Sequence, residues 1–242
     1  METRIDEIAD RIYRFSTHVP DIGPTGFTFN QFLVDAGEPL LFHTGLRALF
    51  PLVSQAVASV VALDKLRWIT FGHLEADEFG AMNEWLAAAP NSQVAHSSMG
   101  CVVSINDLAD REPRPLGPDE VVDLGGKRVR NIDTPHVPHG WDAHLFYEET
   151  TRTLLCGDLL SQAGDGPPVT SDDIFEAAMQ TEDMFQPTCF TPNTAPTIRA
   201  LADLQPTTLA IMHGRSYNGD CRKALLDLAD DSQRRLAAAG SR

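Results

Sequence analysis

The sequence lacks several features that would assign it to a common functional class. Its four cysteines are far apart and form no CxxC pair, so neither a zinc knuckle nor a redox-active dithiol is expected. It has no apolar run of about 18 residues, and its first residues lack the basic start and apolar stretch of a secretory signal. We therefore expect a cytoplasmic protein without a membrane partner.

Basic residues are also scarce. Lysine and arginine number 19 against 34 aspartates and glutamates, which gives a net charge of −15. A field of this sign repels phosphate backbones and anionic lipid surfaces, so nucleic acid and membranes are not expected partners. The 242 residues are 43% apolar, which is enough for a full core, and we expect one domain over residues 1–242.

Apolar patterning predicts two β-rich halves, each closed by helices, and thus two packed sheets with helices outside. In the first half we expect helices at 46–61 and 77–89 between strands at 11–16, 27–34, 39–43 and 66–71. In the second half we expect helices at 171–185, 194–204 and 220–238 beside strands at 94–95, 121–124, 127–132, 144–147, 153–156 and 208–212. The stretches 110–119 and 163–168 are predicted to be irregular.

The strongest local signal is the segment FGHLEADEFG, in which His73, Glu75 and Asp77 alternate directly after an apolar strand. In an extended loop, alternate side chains point the same way, so one imidazole and two carboxylates would converge on one side. Burying these groups together is costly unless a cation neutralises them. The alternative interpretation is a solvated acidic helix start, with Asp77 or Glu78 at the positive end of the helix dipole.

Three further segments carry ligand-type residues next to glycine at predicted strand ends. TPHVPHGWDAH contains His136, His139 and His144, LLCGDLLS contains Asp158, and LAIMHGRS contains His213. Glycine at such a position lets the backbone approach a bound ion closely. Each segment alone has an ordinary alternative, because histidines commonly cap strand ends and a Gly-Asp pair commonly forms a turn.

In order and spacing these segments resemble the ligand series of the metallo-β-lactamase superfamily, in particular the diiron domain of flavodiiron proteins and of related stand-alone oxygen-binding diiron proteins. The resemblance extends from FTFNQFLVDAGEPLLFHTG to MHGRS. It implies an α/β fold, the four-layer αββα metallo-β-lactamase sandwich, with a dinuclear metal centre. One ion would be bound by His73, Glu75 and His139, a second by Asp77 and His213, and Asp158 would bridge the two.

The sequence also departs from the flavodiiron pattern. Many members have a further histidine where this chain has Glu78, so the second ion would carry water, bind Glu78 or be bound more weakly. Flavodiiron proteins also carry a flavodoxin-like domain, which does not fit within 242 residues. We therefore expect no flavin in this chain and an external electron donor for any reductase activity. The resemblance also suggests a homodimer.

Glu75 directs the choice of metal. Hydrolytic relatives of this fold usually have H-x-H-x-D-H, a nitrogen-rich set suited to zinc, whereas a carboxylate in place of one imidazole favours iron or manganese. We expect two iron ions in an oxidoreductase-type protein that binds or reduces O2 or NO. Two other hypotheses stay open: a hydrolase with zinc or mixed metals, and a non-catalytic O2 or redox sensor. Residues expected to contact the ligands are Glu78, His43, His136 and His144.

Overall fold

The first half of the chain forms a seven-stranded sheet in sequence order, in a computed structural model that describes residues 1–240. The first four strands pair antiparallel, and the last four pair parallel. The parallel strands are joined by helical crossovers, which parallel pairing requires. The strands are β1 (Thr3–Ala9), β2 (Ile12–Val19), β3 (Phe27–Val34), β4 (Leu40–Phe42), β5 (Trp68–Thr70), β6 (Gln93–Ser97) and β7 (Arg114–Leu116).

The second half forms another seven-stranded sheet. Its strands are β8 (Val121–Asp123), β9 (Arg128–Asp133), β10 (His144–Glu148), β11 (Thr153–Leu155), β12 (Val169–Thr170), β13 (Thr208–Ala210) and β14 (Ser216–Tyr217). They lie in the order β12-β14-β13-β11-β10-β9-β8. β11 pairs parallel with β13, so the carboxyl ends of these two strands lie at the same edge of the sheet.

Helices cover the outer face of each sheet. α1 (Phe50–Ala58) and α3 (Met82–Ala88) pack on the first sheet, and α6 (Phe175–Phe185), α7 (Thr194–Asp203) and α8 (Cys221–Ala239) pack on the second. The short helices are α2 (Ala76–Phe79), α4 (Ser98–Gly100) and α5 (Asn106–Leu108). No helix within residues 1–240 combines the length and apolar character needed to span a bilayer.

Alternation along β3 explains how one sheet contributes to two cores. Phe29 and Leu33 point into the core beneath α1 and α3, while Phe32 and Val34 point into the core between the sheets. Phe146 of the second sheet packs into that same central core. Successive side chains of a strand face opposite sides, so a strand covered on both sides is apolar throughout. The result is the predicted four-layer αββα sandwich.

The structure corrects four expectations about individual elements. Residues 93–97 form β6 in the first sheet, beside β5, and do not belong to the second sheet. The stretch 110–119 contains the edge strand β7, and residues 3–9 form the edge strand β1. The helix expected at 77–89 is interrupted, because the N–H of Ala81 donates to the carbonyl of Gly45 and leaves the helical pattern.

Candidate metal centre

The six residues predicted as ligands meet at one edge of the sandwich, and each sheet contributes three of them. On the first sheet, His73 and Glu75 lie in the loop after β5, and Asp77 lies in the first turn of α2. On the second sheet, His139 lies between β9 and β10, Asp158 follows β11, and His213 follows β13. We call these six residues the donor cluster: His73, Glu75, Asp77, His139, Asp158 and His213.

Four members of the donor cluster form a first group. The Oε2 atom of Glu75 lies 3.0 Å from Nε2 of His73 and 2.9 Å from Nε2 of His139. The Oδ2 atom of Asp158 lies 3.8 Å from Nε2 of His73 and 3.7 Å from Nε2 of His139. One donor atom from each residue lies within 4.8 Å of the others, which is close enough for all four to bind one ion.

A second group shares Asp158 with the first. Nε2 of His213 lies 3.2 Å from Oδ2 of Asp77 and 3.2 Å from Oδ1 of Asp158. The two carboxylate oxygens of Asp158 therefore face different groups of donors. A carboxylate in this position can bridge two adjacent cations.

The imidazoles of the donor cluster are oriented by contacts on their other nitrogen. Nδ1 of His213 donates to the backbone carbonyl of Thr28 at 2.9 Å. Nδ1 of His73 lies 3.4 Å from Oε2 of Glu78. Both contacts place the protonated nitrogen away from the cluster and leave Nε2 free to bind a metal, which is the common arrangement for histidine ligands.

Glu78 is fully buried and lies behind His73 rather than among the facing donor atoms. Its Oε2 accepts the backbone N–H of His73 at 2.7 Å and lies 3.5 Å from Nδ1 of His43. The carboxylate of Glu78 therefore contacts the Nδ1 edge of His73. His43 is linked to the cluster through Glu78.

The other two histidines expected near the ligands lie elsewhere. His144 is buried, and its Nε2 donates to the carbonyl of Phe71 at 2.7 Å while Nδ1 faces the side-chain oxygen of Asn131. Burial lowers the pKa of His144 to about 4. The side chain of His136 is exposed and does not line the cavity above the cluster.

The charged groups of the donor cluster shift one another's pKa values strongly. Burial opposes protonation of His73, but the charge of Glu78 and the hydrogen bond to Glu75 raise its pKa to about 10. Burial also opposes protonation of His213, but contacts with Asp158 and Asp77 raise its pKa to about 10. Hydrogen bonds from His139 and then His73 lower the pKa of Glu75 to about 2.

Several residues that support the donor cluster were not identified from the sequence. Asp142 accepts the backbone N–H of Leu74 at 3.0 Å and so fixes the loop between His73 and Glu75. Gly140 has a φ of +78°, and a Cβ there would lie 3.3 Å from Cβ of His73. The glycine therefore allows both the turn and the close approach of the two loops.

Arg14 and Asn30 hold the loop that carries His213. The side-chain amide of Asn30 donates to the carbonyls of Ile211 and Gly214, each at 2.9 Å. Nη2 of Arg14 donates to the carbonyl of Gly214 at 3.1 Å, and its side chain is only 1% exposed. A polar residue within an apolar strand is the signal that could have identified both, because such a group needs buried partners.

The donor chemistry of this site fits metal binding. Three imidazoles and three carboxylates converge, and within residues 1–240 Nδ1 of His139 is buried without a hydrogen-bond partner, while Oδ1 of Asp158 makes only the poorly aligned 3.2 Å approach to Nε2 of His213. The carboxylates of Asp77 and Asp158 are mostly shielded from solvent, and carboxylates at such close range need a compensating positive charge. A family model described as "ODP family beta lactamase" matches residues 27–214, a span that includes the whole donor cluster.

The chain belongs to this family. The ODP-family chain is 24% identical over 210 residues to the rubredoxin-oxygen oxidoreductase of Megalodesulfovibrio gigas, covering 84% of the chain and 52% of that protein. It is 31% identical over 155 residues to a hydroxyacylglutathione hydrolase of Acidiphilium cryptum, covering 60% of the chain and 58% of that protein. It therefore spans about half the length of these curated relatives, and 28% of the flavorubredoxin relative from Aeromonas hydrophila.

Solved structures show the same fold. A fragment of a putative diflavin flavoprotein A 5 from Nostoc superposes on the ODP-family chain with a TM-score of 0.82 at 17% identity. The match covers 100% of this chain and 99% of that fragment. The predicted resemblance to the metallo-β-lactamase fold and to flavodiiron proteins is confirmed.

Proposed function

We propose that the ODP-family chain holds two iron ions in the donor cluster and binds or reduces a diatomic gas, O2 or NO. The observation that carries the proposal is the position of Asp158, whose two oxygens face the His73 and His139 group on one side and His213 on the other. This is the arrangement that a carboxylate-bridged pair of ions needs.

Glu75 supports iron over zinc. Its carboxylate faces both imidazoles of the first group, at 3.0 and 2.9 Å, in the position where zinc hydrolases of this fold have a histidine. Carboxylates are harder ligands than imidazoles and favour iron or manganese. Four carboxylates, those of Glu75, Asp77, Asp158 and the buried Glu78, together carry four negative charges. These charges balance two divalent cations.

Aromatic side chains border the second group of donors, where we propose that the diatomic gas binds. The ring of Phe27 lies 4.4 Å from the ring of His213, and that of Phe29 lies 5.3 Å from it, so apolar walls border the second group. That group has one imidazole and two carboxylates, so an ion held there would have fewer protein donors than an ion held by the first group. When bound, an iron pair supplies open coordination sites and electrons for a diatomic gas. We propose that those electrons come from an external donor.

The test is diffraction from anaerobically prepared crystals at the iron and zinc absorption edges. We expect two iron peaks per chain, with Asp158 between them. A single zinc peak, or donors that do not surround any peak, would contradict the proposal. Oxygen or nitric oxide consumption with a chemical electron donor then separates a reductase from a gas sensor, because a sensor binds the gas without turnover.

A zinc hydrolase is the second candidate, because the relative with 31% identity is named hydroxyacylglutathione hydrolase. In such an enzyme, water activated by the ion would attack a thioester. Zinc-loaded protein should then hydrolyse S-lactoylglutathione at a rate proportional to its zinc content. Under the iron proposal, neither the zinc-loaded nor the iron-loaded protein hydrolyses S-lactoylglutathione.

The pH dependence of stability should differ between metal-free and zinc-loaded protein. In the metal-free protein, His73 and His213 have pKa values raised from 6.5 to about 10. A raised pKa stabilises the folded state fully below the unfolded value of 6.5, and this contribution is lost as the pH rises through 10. Bound metal requires neutral imidazoles and removes that dependence.

We therefore expect the Tm of metal-free protein to fall steadily between pH 7 and pH 10, while that of zinc-loaded protein changes less. Differential scanning calorimetry of both forms in matched buffers measures the difference. A metal-free variant with His213→Gln should show a smaller fall than the metal-free parent. If the Tm of all three samples changes equally with pH, the protons are not held by His73 and His213 as proposed.

A further inference from the structure

The cavity above the donor cluster is much larger than a diatomic gas requires. Its volume is about 700 Å³, and it opens to solvent beside Glu75 and Phe185. A molecule the size of water occupies about 30 Å³ in the liquid, and O2 or NO is of similar size. Cavities of roughly 300 to 1,000 Å³ are typical of sites for organic ligands.

The walls of this cavity are mainly apolar. Ile22, Phe27, Phe29 and Leu74 from the first half of the chain border it, together with Phe185 at the end of α6. The rings of Phe27 and Phe185 meet edge to face at 5.5 Å, which forms an aromatic corner next to His213. Such walls favour an aromatic or branched aliphatic body.

Carboxylates are the most numerous ionisable groups of the cavity, which also includes His73, His139 and His213. Glu75, Asp77, Asp142 and Asp158 line it, and none of its lining residues within the described part of the chain, 1–240, is lysine or arginine. The protein as a whole carries a net charge of −15. The four carboxylates balance two divalent ions, and in the metal-free protein they outnumber the three lining histidines, so the cavity has no surplus of positive charge. An anionic ligand such as an acylglutathione or a phosphate ester would lose its hydration without meeting such a surplus, and this loss is costly.

We propose that the cavity binds an uncharged organic molecule with an aromatic or branched aliphatic body, next to the metal pair. The inference deepens the proposed function, on which it rests for the presence of the metals. The apolar body lies against Phe27 and Phe185, and a small polar end faces the donor cluster. The ligand is uncharged because the four lining carboxylates and two divalent ions balance one another, and its size follows from the cavity.

Two fluorescent dyes with the same ring framework test size and charge separately. N-phenyl-1-naphthylamine is uncharged, and 8-anilino-1-naphthalenesulfonate adds only a sulfonate. Each is titrated into the zinc-loaded and the chelator-treated protein, with zinc content measured on the same samples. We expect one saturable site for the uncharged dye and at least about tenfold weaker binding of the sulfonate.

Two variants of α6 locate the dye. Phe185→Asp introduces a charge at the cavity wall, whereas Met184→Asp introduces the same charge on the neighbouring residue, which is exposed and does not line the cavity. We expect Phe185→Asp to weaken binding of the uncharged dye at least about tenfold and Met184→Asp to change it less than about twofold. Circular dichroism verifies that both variants are folded.

The proposal is overturned if the uncharged dye does not saturate a single site, if the sulfonate binds equally well, or if both variants behave alike. Failure of the iron proposal gives a different result. Crystals would then lack a metal pair, while dye binding to the chelator-treated protein and its loss in Phe185→Asp would persist.

Discussion

An Asp158→Ala variant is expected to lose both metal ions rather than one. Oδ2 of Asp158 approaches Nε2 of His73 and His139 at 3.8 and 3.7 Å, and Oδ1 approaches Nε2 of His213 at 3.2 Å. Removing the carboxylate takes one donor and one compensating charge from each group. Changes in residues that only orient a ligand already weaken metal binding about 10- to 100-fold, so loss of a shared ligand should exceed about 100-fold.

Metal content after anaerobic reconstitution and desalting measures this effect. The informative comparison is Asp77→Ala, because Asp77 approaches only His213, at 3.2 Å, and its loss should leave about one ion bound. Asp172→Ala, an exposed aspartate outside the cluster, serves as the control and should retain the parent's content. Equal metal loss in Asp77→Ala and Asp158→Ala would mean that Asp158 does not bridge.

A Glu75→His variant should change which metal the protein selects. Glu75 lies close to both imidazoles of the first group, and an imidazole in its place would make that group nitrogen-rich. Nitrogen-rich sites suit zinc, whereas carboxylate-rich sites suit iron. We expect the iron-to-zinc ratio to fall by at least about tenfold when protein is reconstituted anaerobically with equal amounts of both ions.

The matched control is Glu176→His, an exposed glutamate in α6 that is remote from the cavity lining. It makes the same chemical change without altering the cluster, so its iron-to-zinc ratio should equal that of the parent. If Glu75→His also leaves the ratio unchanged, the metal preference is set elsewhere and the main argument for iron is lost.

The sequence predicts the architecture well where its pattern is strong. β3 alternates between two apolar cores, and its long aromatic and β-branched run is a clear strand signal. β1 was missed because its burial pattern leaves one side exposed, so its apolar residues are few. β6 was assigned to the wrong sheet because sheet membership depends on tertiary packing, which local periodicity does not encode.

The convergence of the donor cluster was also predictable, but the reason given for part of it was incomplete. An extended segment was expected to align His73, Glu75 and Asp77, whereas Asp77 lies in the first turn of α2. The turn into the helix brings its carboxylate toward His213, at 3.2 Å. The side-chain direction of Glu78 was not predictable, because it depends on the buried space beside His43.

The division of the donor cluster between the two sheets has a mechanical consequence. His73, Glu75 and Asp77 come from the first half of the chain, and His139, Asp158 and His213 come from the second. A cation held by donors of both halves acts as a cross-link that no covalent bond supplies, since all four cysteines are free thiols. Its binding energy resists the sliding or separation of one sheet from the other. The amount of bound metal would therefore determine how fast proteases cleave the protein where the two sheets meet.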